Sequence, residues 1–269
     1  MGNHTEYEKL VNKVQANKKY HSIMPELVIR LVEKAALKGL KGKAAVKDVR
    51  SKLHQIGGAY FKRKVDYENA KDQLVHLPQN IQSEQAMQFC IEYMGAHAST
   101  AERLPILEDF FTVTLESISP VSSVLDLACG MTPLSIPWMP LDQDFTYQAC
   151  DIYLDMLTYI QSFFNHFEIS GRTFPCDLVG VIPKEQVELA LILKSIPCLE
   201  QVDKEIGRSL LNGVQAEHIL VSFPVSSLGG RRKGMPDFYQ EHFYEMVSDK
   251  PWQIKKFEFA AELAFLVTK

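Results

Sequence analysis

The sequence contains no long apolar run, no closely spaced cysteine pair and no glycine-rich phosphate-binding loop. Its longest apolar stretches, such as residues 189–193, are far shorter than the roughly 20 residues that cross a bilayer. The polar residues 1–19 lack the apolar segment of a signal peptide. The five cysteines are widely separated, and neither a C-x-x-C pair nor a histidine pair at zinc spacing accompanies them. We therefore expect a cytoplasmic protein with reduced thiols, no metal and no membrane partner.

Two nucleotide-binding motifs are also absent. Dinucleotide cofactors need G-x-G-x-x-G for their pyrophosphate, and nucleoside triphosphates need G-x-x-x-x-G-K-[ST]. The sequence instead has Cys129-Gly130 followed by Met131-Thr132-Pro133. This absence argues against phosphate-bearing cofactors but leaves room for a nucleoside cofactor that carries no phosphate.

The net charge of −4 conceals a strong asymmetry between the two ends of the chain. Residues 1–75 contain 16 basic and 8 acidic side chains, whereas the remainder contains 13 basic and 25 acidic ones. Such a split favours contact between the N-terminal end and a polyanion. The alternative is a solvated, lysine-rich helical face.

The hydrophobic pattern divides the chain near residue 96. Before it, apolar residues recur at helical spacing, as in residues 27–37, where Pro25 suits a first helical turn. After Val121, short β-rich runs alternate with helical stretches, which predicts an α/β fold with a parallel, doubly wound sheet. Strands are predicted at residues 121–127, 145–150, 173–176, 187–193 and 218–223, with a terminal antiparallel hairpin at 257–259 and 263–268.

Between these two regions, Ser99-Thr100-Ala101-Glu102 has the S-x-x-E spacing of a capping box, which predicts the start of a helix. We therefore divide the chain into a helical domain, residues 1–95, and an α/β domain, residues 96–269.

Acidic and glycine residues follow the predicted strands, where doubly wound sheets bind their ligands. Gly130 follows the first strand and would let a ligand approach the backbone closely. Asp151 comes about 20 residues later, at the spacing that suits ribose hydroxyls. Asp177 ends the third strand as a candidate for the adenine amino group, and Lys194 ends the fourth. Because S-adenosylmethionine has ribose and adenine but no phosphate, this pattern favours it, the alternative being ordinary caps and loop residues.

Several segments together resemble one family, the 16S rRNA guanine-N7 methyltransferases that confer aminoglycoside resistance. They occur in order over residues 18–269: LHQI (53–56) with GAY (58–60), HASTAER (97–103), LDLACG (125–130) with PL (133–134), CDI (150–152), LILK (191–194) with PCLE (197–200), and VSFP (221–224) with SLGGR (227–231) and KGM (233–235). The resemblance implies a Rossmann-like S-adenosylmethionine-dependent methyltransferase domain preceded by a helical N-terminal domain. Thr132 and Ser135 depart from the Asn and Ala that are usual in the family.

The resemblance also implies roles for individual residues. Arg103 would pair with the carboxylate of the methionine moiety. The full set expected to bind the cofactor is Tyr60, His97, Ala98, Ser99, Thr100, Ala101, Glu102, Arg103, Ala128, Gly130, Asp151, Asp177, Leu178 and Leu193. The glycine-containing basic loop at residues 227–235 and the lysine that ends the fourth strand predict residues that position the target base. They are Lys194, Arg231, Lys233 and Met235, the alternatives being a solvated loop and a surface lysine. Apart from the resemblance, the positive charge of the helical region and of the 231–233 segment predicts RNA contacts, the alternative being solubility alone. The residues are Lys18, Lys19, Arg50, Lys52, Lys62, Arg63, Lys64 and Arg232.

Guanine N7 carries a lone pair and no proton, so we expect no general base and no catalytic acid among these residues. The chain lacks the N/D-P-P-Y/F/W tetrapeptide of amino-directed methyltransferases and has Lys194-Ser195-Ile196-Pro197 instead. The expected partner is the 30S ribosomal subunit, met by a monomer. Three alternatives stay open: a small-molecule methyltransferase, a non-catalytic RNA-binding adaptor, and methylation of adenine N1.

Overall fold

The computed structural model describes residues 2–58, 60–226 and 234–269. The regular elements that it describes before residue 116 are helical. The α-helices among them are α1 (Gly2–Gln15), α2 (Pro25–Leu37), α3 (Gly42–Leu53), α4 (Tyr67–Leu74), α5 (Glu84–Met94), α6 (Ala98–Arg103) and α7 (Leu107–Leu115).

Local sequence explains where these helices begin and which face they bury. Pro25 opens α2, where its missing N–H leaves no hydrogen bond unmade, and the apolar Leu27 and Leu31 recur on the buried face. α5 begins after Ser83, whose side chain accepts a hydrogen bond from the Ala86 N–H at 3.2 Å.

A π-helical turn, His54–Gly58, follows α3. The sequence predicts a helix stop at Gly57-Gly58, and the turn ends there. A Cβ added at Gly57 would lie 2.8 Å from the ring of Tyr153, so only glycine lets this turn pack against that ring. Single π turns are frequent at functional sites.

The second half of the chain forms a seven-stranded sheet with the order β3-β2-β1-β4-β5-β7-β6. The strands are β1 (Val121–Leu127), β2 (Leu141–Asp151), β3 (Ser170–Pro175), β4 (Val187–Leu193), β5 (Ala216–Pro224), β6 (Gln253–Glu258) and β7 (Glu262–Thr268). The strands from β1 to β5 pair in parallel, whereas β7 pairs antiparallel with both β5 and β6. The α-helices of this half are α8 (Leu154–His166), α9 (Ile196–Leu199), α10 (Ile206–Gly213) and α11 (Met235–Val247).

The predicted α/β fold with a largely parallel sheet is confirmed. The bounds of β1 and β4 agree with the prediction, because both strands are rich in apolar residues and are buried at most positions. β3 begins three residues before its prediction, at Ser170. Its polar, partly exposed residues carry little strand signal, since it lies at the edge of the sheet.

One hydrophobic core joins the helices of the first half to the sheet. It extends from Leu10 in α1 to Leu266 in β7. Backbone hydrogen bonds strengthen the junction: the Met24 N–H donates to the Ile152 carbonyl at 2.9 Å, and the Leu154 N–H donates to the Ser22 carbonyl at 2.8 Å. These bonds hold the start of α2 at the carboxyl end of β2.

The five cysteines are buried and form no disulfide. No helix in the described part of the chain is long and apolar enough to span a bilayer. The described residues also contain no cluster of three or more side chains that could hold a metal ion.

Candidate active site

A pocket lies at the carboxyl ends of β1, β2 and β4, where the order of the sheet reverses. Leu27, Arg30 and Ile56 close it from the side of the helices. Ten of the residues predicted from the sequence line it: Tyr60, His97, Ser99, Ala128, Gly130, Asp151, Asp177, Leu178, Leu193 and Lys194. The other predicted cofactor residues lie outside its lining: Ala98, Thr100, Ala101, Glu102 and Arg103. Thr100, for example, donates its hydroxyl to the Met94 carbonyl at 2.6 Å.

The loop after β1 brings its backbone to the pocket in a left-handed conformation. Ala128 and Gly130 both have φ of 52°. A Cβ at Gly130 would lie 3.0 Å from Cε1 of His97, so glycine keeps this part of the pocket open. Lys194, at the end of β4, has φ of 56°. Non-glycine residues in this region are strained, and such strain is concentrated at active sites.

Asp151 is buried at the end of β2 and holds the loop after β1 in place. Its Oδ2 accepts a hydrogen bond from the Gly130 N–H at 3.0 Å, and its Oδ1 accepts one from the Ile152 N–H at 2.6 Å. Burial raises the pKa of this carboxyl, although these backbone donors oppose the rise. The Tyr153 N–H also donates to Oδ1, at 3.3 Å. Since a carboxylate has about four acceptor positions, Asp151 retains capacity for a ribose hydroxyl.

Asp177 lies in the pocket with a partner that the sequence analysis missed. Arg30 of α2 donates to it from Nε and Nη2, with both nitrogen–oxygen distances 2.6 Å. The fork of a guanidinium matches a carboxylate in this way, which fixes the orientation of both groups. In the sequence Arg30 is only one of the charged residues between the apolar positions of a predicted helix, and 147 positions separate it from Asp177.

Tyr60 and His97 form an aromatic wall of the pocket. Their ring centroids are 6.1 Å apart with an interplanar angle of 24°, and Phe61 packs edge-on against His97. Burial, with Arg103 nearby, lowers the pKa of His97 to about 4, so the imidazole is neutral at pH 7. The thiol of Cys198 donates to the Tyr60 hydroxyl at 2.8 Å, and burial raises the pKa of that phenol.

The prediction that Ser99 begins a helix as part of a capping box is wrong. α6 begins at Ala98, and His97 precedes it without a side-chain cap. The Ala98 N–H donates to the Tyr60 carbonyl at 2.7 Å, and this tertiary hydrogen bond fixes the entry to the helix. Ser99 therefore lies inside α6, where its hydroxyl is 3.1 Å from Nδ1 of His97 and faces the pocket.

A buried network of charges adjoins the pocket. Arg103 donates to Glu262 of β7 through Nε at 3.0 Å and Nη2 at 2.6 Å. The Lys194 ammonium lies 3.0 Å from Glu102 and 3.3 Å from Glu262. Burial alone would raise the pKa of Glu262, but Arg103 and Lys194 bring it below its ordinary value. Nothing in the sequence indicates Glu262, because 159 positions separate it from Arg103.

The residues predicted to bind RNA differ in exposure. Those on the surface are Lys18, Lys19, Lys62, Arg63 and Lys64. Arg50 and Lys52 are half-buried and donate to the carbonyls of Lys13 and Gln201, respectively. Met235 opens α11 and is half-buried. Arg231, Arg232 and Lys233 lie outside the described residues.

The ends of β1, β2 and β4 offer a glycine and buried carboxylates, but no phosphate-binding loop. This pocket suits a nucleoside group without phosphates, and the order of the sheet is that of a Rossmann-like fold. Fold and pocket together define a methyltransferase of the class that uses S-adenosylmethionine.

Comparison with known proteins identifies the family. A family model described as Ribosomal RNA methyltransferase (FmrO) matches residues 16–266. The 16S rRNA (guanine(1405)-N(7))-methyltransferase of Micromonospora rosea is 30% identical over 267 residues, which cover 97% of this chain and 96% of that protein. The protein of the same name from Serratia marcescens is 29% identical and covers 87% of this chain and 86% of its own length.

A solved structure of similar architecture is that of the 16S rRNA methyltransferase RmtF in complex with S-adenosyl-L-homocysteine. It is 28% identical, covers 98% of each chain and superimposes with a TM-score of 0.83. The 16S rRNA methylase RmtB, 24% identical with a TM-score of 0.78, shares the fold. The chain belongs to the FmrO family of ribosomal RNA methyltransferases, and it is therefore an enzyme, as the sequence motifs predict.

Proposed function

We propose that the protein methylates N7 of a guanine in the decoding site of 16S rRNA, within the assembled 30S subunit, using S-adenosylmethionine. The observation that carries the proposal is the pocket that Gly130, Asp151 and Asp177 line, with the charge network around Arg103 beside it. Relatives that carry the guanine-N7 name match nearly the whole chain, and RmtF binds the demethylated cofactor.

The residues of the pocket fit this cofactor. Asp151 would hold the ribose, whereas Asp177 and Leu178 would flank the adenine. Arg103 would bind the methionine carboxylate, since its Nη1 is buried and has no hydrogen-bond partner among the described residues. The backbone at Gly130 allows close approach to the ligand. When bound, S-adenosylmethionine supplies an activated methyl group.

The residues of the protein would position the target base and exclude water from the pocket. Guanine N7 presents an unprotonated lone pair, so no side chain has to remove a proton before transfer. The groups nearby agree with this role: His97 is neutral, and Lys194 is engaged by two carboxylates. Correct placement of the reacting atoms, about 3–3.5 Å apart, supplies much of the rate enhancement. Tyr60 and His97 form an aromatic wall of the pocket in which the base would be placed.

We propose that residues 1–95 form a helical domain that docks on rRNA, and that residues 96–269 form the methyltransferase domain with its terminal hairpin. The exposed Lys18, Lys19, Lys62 and Lys64 supply positive charge for phosphate contacts. The segment 231–233, with the sequence Arg-Arg-Lys, would bind phosphates near the target, and Met235 would pack on the flipped base. The protein would act as a cytoplasmic monomer.

The proposed biological consequence is aminoglycoside resistance. A methyl group on N7 adds bulk and a positive charge to the guanine. Both would oppose binding of a cationic drug at the same site on the ribosome.

The test is transfer of a radiolabelled methyl group from S-adenosylmethionine to purified 30S subunits, naked 16S rRNA and 50S subunits, with the modified base mapped. Labelling of 30S subunits alone, at N7 of one decoding-site guanine, is expected. Asp151→Ala, checked for folding, serves as the inactive control. If folded protein that binds the cofactor labels none of these RNAs, the RNA substrate is wrong and a small-molecule substrate replaces it. Labelling at adenine N1 would overturn the proposed base specificity.

A further inference from the structure

Glu262, the first residue of β7, is a buried carboxylate held by three elements of the fold. It accepts hydrogen bonds from Nε and Nη2 of Arg103 on α6. Ser222 of β5 donates its hydroxyl to the same carboxylate, and the Lys194 ammonium after β4 lies 3.3 Å away. The side chains of Glu262 and Arg103 are 0% and 1% exposed.

Such burial is costly unless each charge has a partner. Glu262 meets this condition because it is shared by two cations that would otherwise repel each other. Lys194 also contacts Glu102, so the four charged groups carry no net charge. These charges therefore neutralise one another without a ligand, and one nitrogen of the network lacks a hydrogen-bond partner in the part of the chain that the structure describes.

That nitrogen is Nη1 of Arg103, which is buried and has no partner among the described residues. Two of the three nitrogens of this planar group are fixed by Glu262, and the Phe110 ring lies 4.8 Å beneath the guanidinium carbon. The direction of Nη1 is therefore set by Glu262. A charged donor left unpaired inside a protein costs free energy, which an acceptor from a ligand would recover.

We propose that Glu262 is a positioning residue: it fixes Arg103 so that Nη1 is presented to the carboxylate of the cofactor's methionine moiety. The inference rests on the proposed function, because it takes S-adenosylmethionine as the ligand. Glu262 does not touch the cofactor and acts through Arg103 alone. Lys194 remains at the pocket wall, neutralised by Glu102 and Glu262, and the methionine carboxylate binds Arg103.

The test compares two ligands that differ in the amino-acid group that bears this carboxylate. S-adenosylhomocysteine carries the amino-acid group, whereas 5′-methylthioadenosine has the same adenosine but no carboxylate. Isothermal titration calorimetry of both ligands is made on the wild type, on Glu262→Gln and on the control Glu258→Gln. The control makes the same chemical change at an exposed position of β6, where Glu258 contacts Lys256.

Glu262→Gln is expected to weaken S-adenosylhomocysteine binding by about tenfold or more, the effect of one charge-assisted contact. Binding of 5′-methylthioadenosine should change by less than about twofold to threefold, which is small against the tenfold steps of affinity. Equal loss for both ligands would assign Glu262 a merely structural role and overturn the proposal, as would unchanged affinity for both. Glu258→Gln should bind both ligands like the wild type.

Glu262→Asp is the second variant, in case the glutamine variant does not fold. It keeps the counter-charge but withdraws it by one methylene, so it should show a smaller loss that is again confined to S-adenosylhomocysteine. A parallel loss for both ligands would contradict the positioning role here too. If the wild type binds neither ligand, the proposed function fails; if the wild type binds both and the variants do not discriminate, only the role of Glu262 fails.

Discussion

Arg30 holds both carboxylate oxygens of Asp177, with two nitrogen–oxygen distances of 2.6 Å. Arg30 belongs to α2 of the helical region, whereas Asp177 follows β3 of the sheet. The pair therefore links the two halves of the chain across the wall of the pocket. The side chains are 21% and 11% exposed, so solvent screens their attraction only partly.

Replacing Arg30 by methionine should release Asp177 and loosen the end of the pocket that we propose to hold adenine. We expect about fivefold to tenfold weaker binding of both S-adenosylhomocysteine and 5′-methylthioadenosine, since both carry adenine and the lost contact is charge-assisted. Calorimetry measures both constants. Arg63→Met removes a mostly exposed arginine from the surface and should leave both constants unchanged. Unchanged affinity in Arg30→Met would show that Asp177 needs no orientation from α2.

Gly130→Ala tests the close approach of the backbone to the ligand. The alanine Cβ would lie 3.0 Å from His97 and would adopt φ of 52°, which costs about 1–2 kcal/mol. We expect loss of cofactor binding together with a modest loss of stability. Gly39→Ala is a matched control, because it has φ of 77° and nothing within 4 Å of its Cβ. The midpoint temperature of thermal unfolding should fall in both variants, whereas calorimetry should detect weaker cofactor binding only in Gly130→Ala.

Asp126, buried in β1, predicts a dependence of stability on pH. Burial raises its pKa to about 7, although the Tyr147 hydroxyl donates to it at 2.9 Å and opposes the rise. Between about pH 4 and pH 7, the Asp126 carboxyl is therefore protonated in the folded state and ionised in the unfolded state. The stability that this proton gives is fully present below pH 4 and is lost as the pH rises through 7.

Asp126→Asn should remove this dependence, since an amide does not titrate and still accepts from Tyr147. As the pH rises from 5 to 8, the free energy of unfolding of Asp126→Asn should increase relative to that of the wild type by on the order of 2–4 kcal/mol. Urea denaturation at a series of pH values measures the difference. Asp144→Asn, an exposed change on β2, should follow the wild-type profile. Parallel profiles for all three proteins would contradict the raised pKa.

An exposed aromatic stack lies on α11. The ring of Phe238 is 60% exposed and stacks on His242 with centroids 6.0 Å apart and an interplanar angle of 12°. His242 is anchored to Glu200 at 2.7 Å, next to Leu199 in the pocket lining. Unstacked bases of RNA bind such platforms, and each stacked base contributes about 1–3 kcal/mol.

Phe238→Ala should therefore lower methylation of 30S subunits by about tenfold or more, with cofactor affinity unchanged. Phe238→Trp should retain activity, because tryptophan also offers a flat ring. Leu37→Ala, which removes an 88% exposed apolar side chain from α2, is the control for general surface effects. Full activity of Phe238→Ala would show that this aromatic stack does not contribute to the proposed RNA-binding surface.

Charge reversal tests the basic surface formed by Lys62 and Lys64. The double variant Lys62→Glu/Lys64→Glu should bind 30S subunits at least about tenfold more weakly, and its affinity should depend less steeply on salt. Binding of S-adenosylhomocysteine should stay unchanged, which separates docking from cofactor recognition. Lys255→Glu, an exposed change on β6, gives the control. A uniform loss in all variants would point to net charge rather than to this surface.

The sequence was sufficient for features that depend on neighbouring residues. Gly130 lies shortly after β1, Asp151 ends β2 and Lys194 directly follows β4, so the rule that ligands bind at strand ends was enough to bring them to one pocket. Arg30 and Glu262 could not be found in this way, because their partners are 147 and 159 positions away and each looks like an ordinary polar residue in its own element. The capping box at Ser99 was misleading for a related reason. A hydrogen bond from a residue distant in sequence, Tyr60, decides where α6 begins.

Two backbone hydrogen bonds join residues 22–24, before α2, to residues 152–154, which follow β2 at the pocket. They fix the position of the N-terminal helices relative to the pocket. If the N-terminal helices dock on rRNA, the fold sets the distance between the docking surface and the pocket. The enzyme would then select its guanine by its location on an assembled surface, with little need to read flanking bases. Naked RNA of identical sequence would lack the assembled surface on which the N-terminal helices dock.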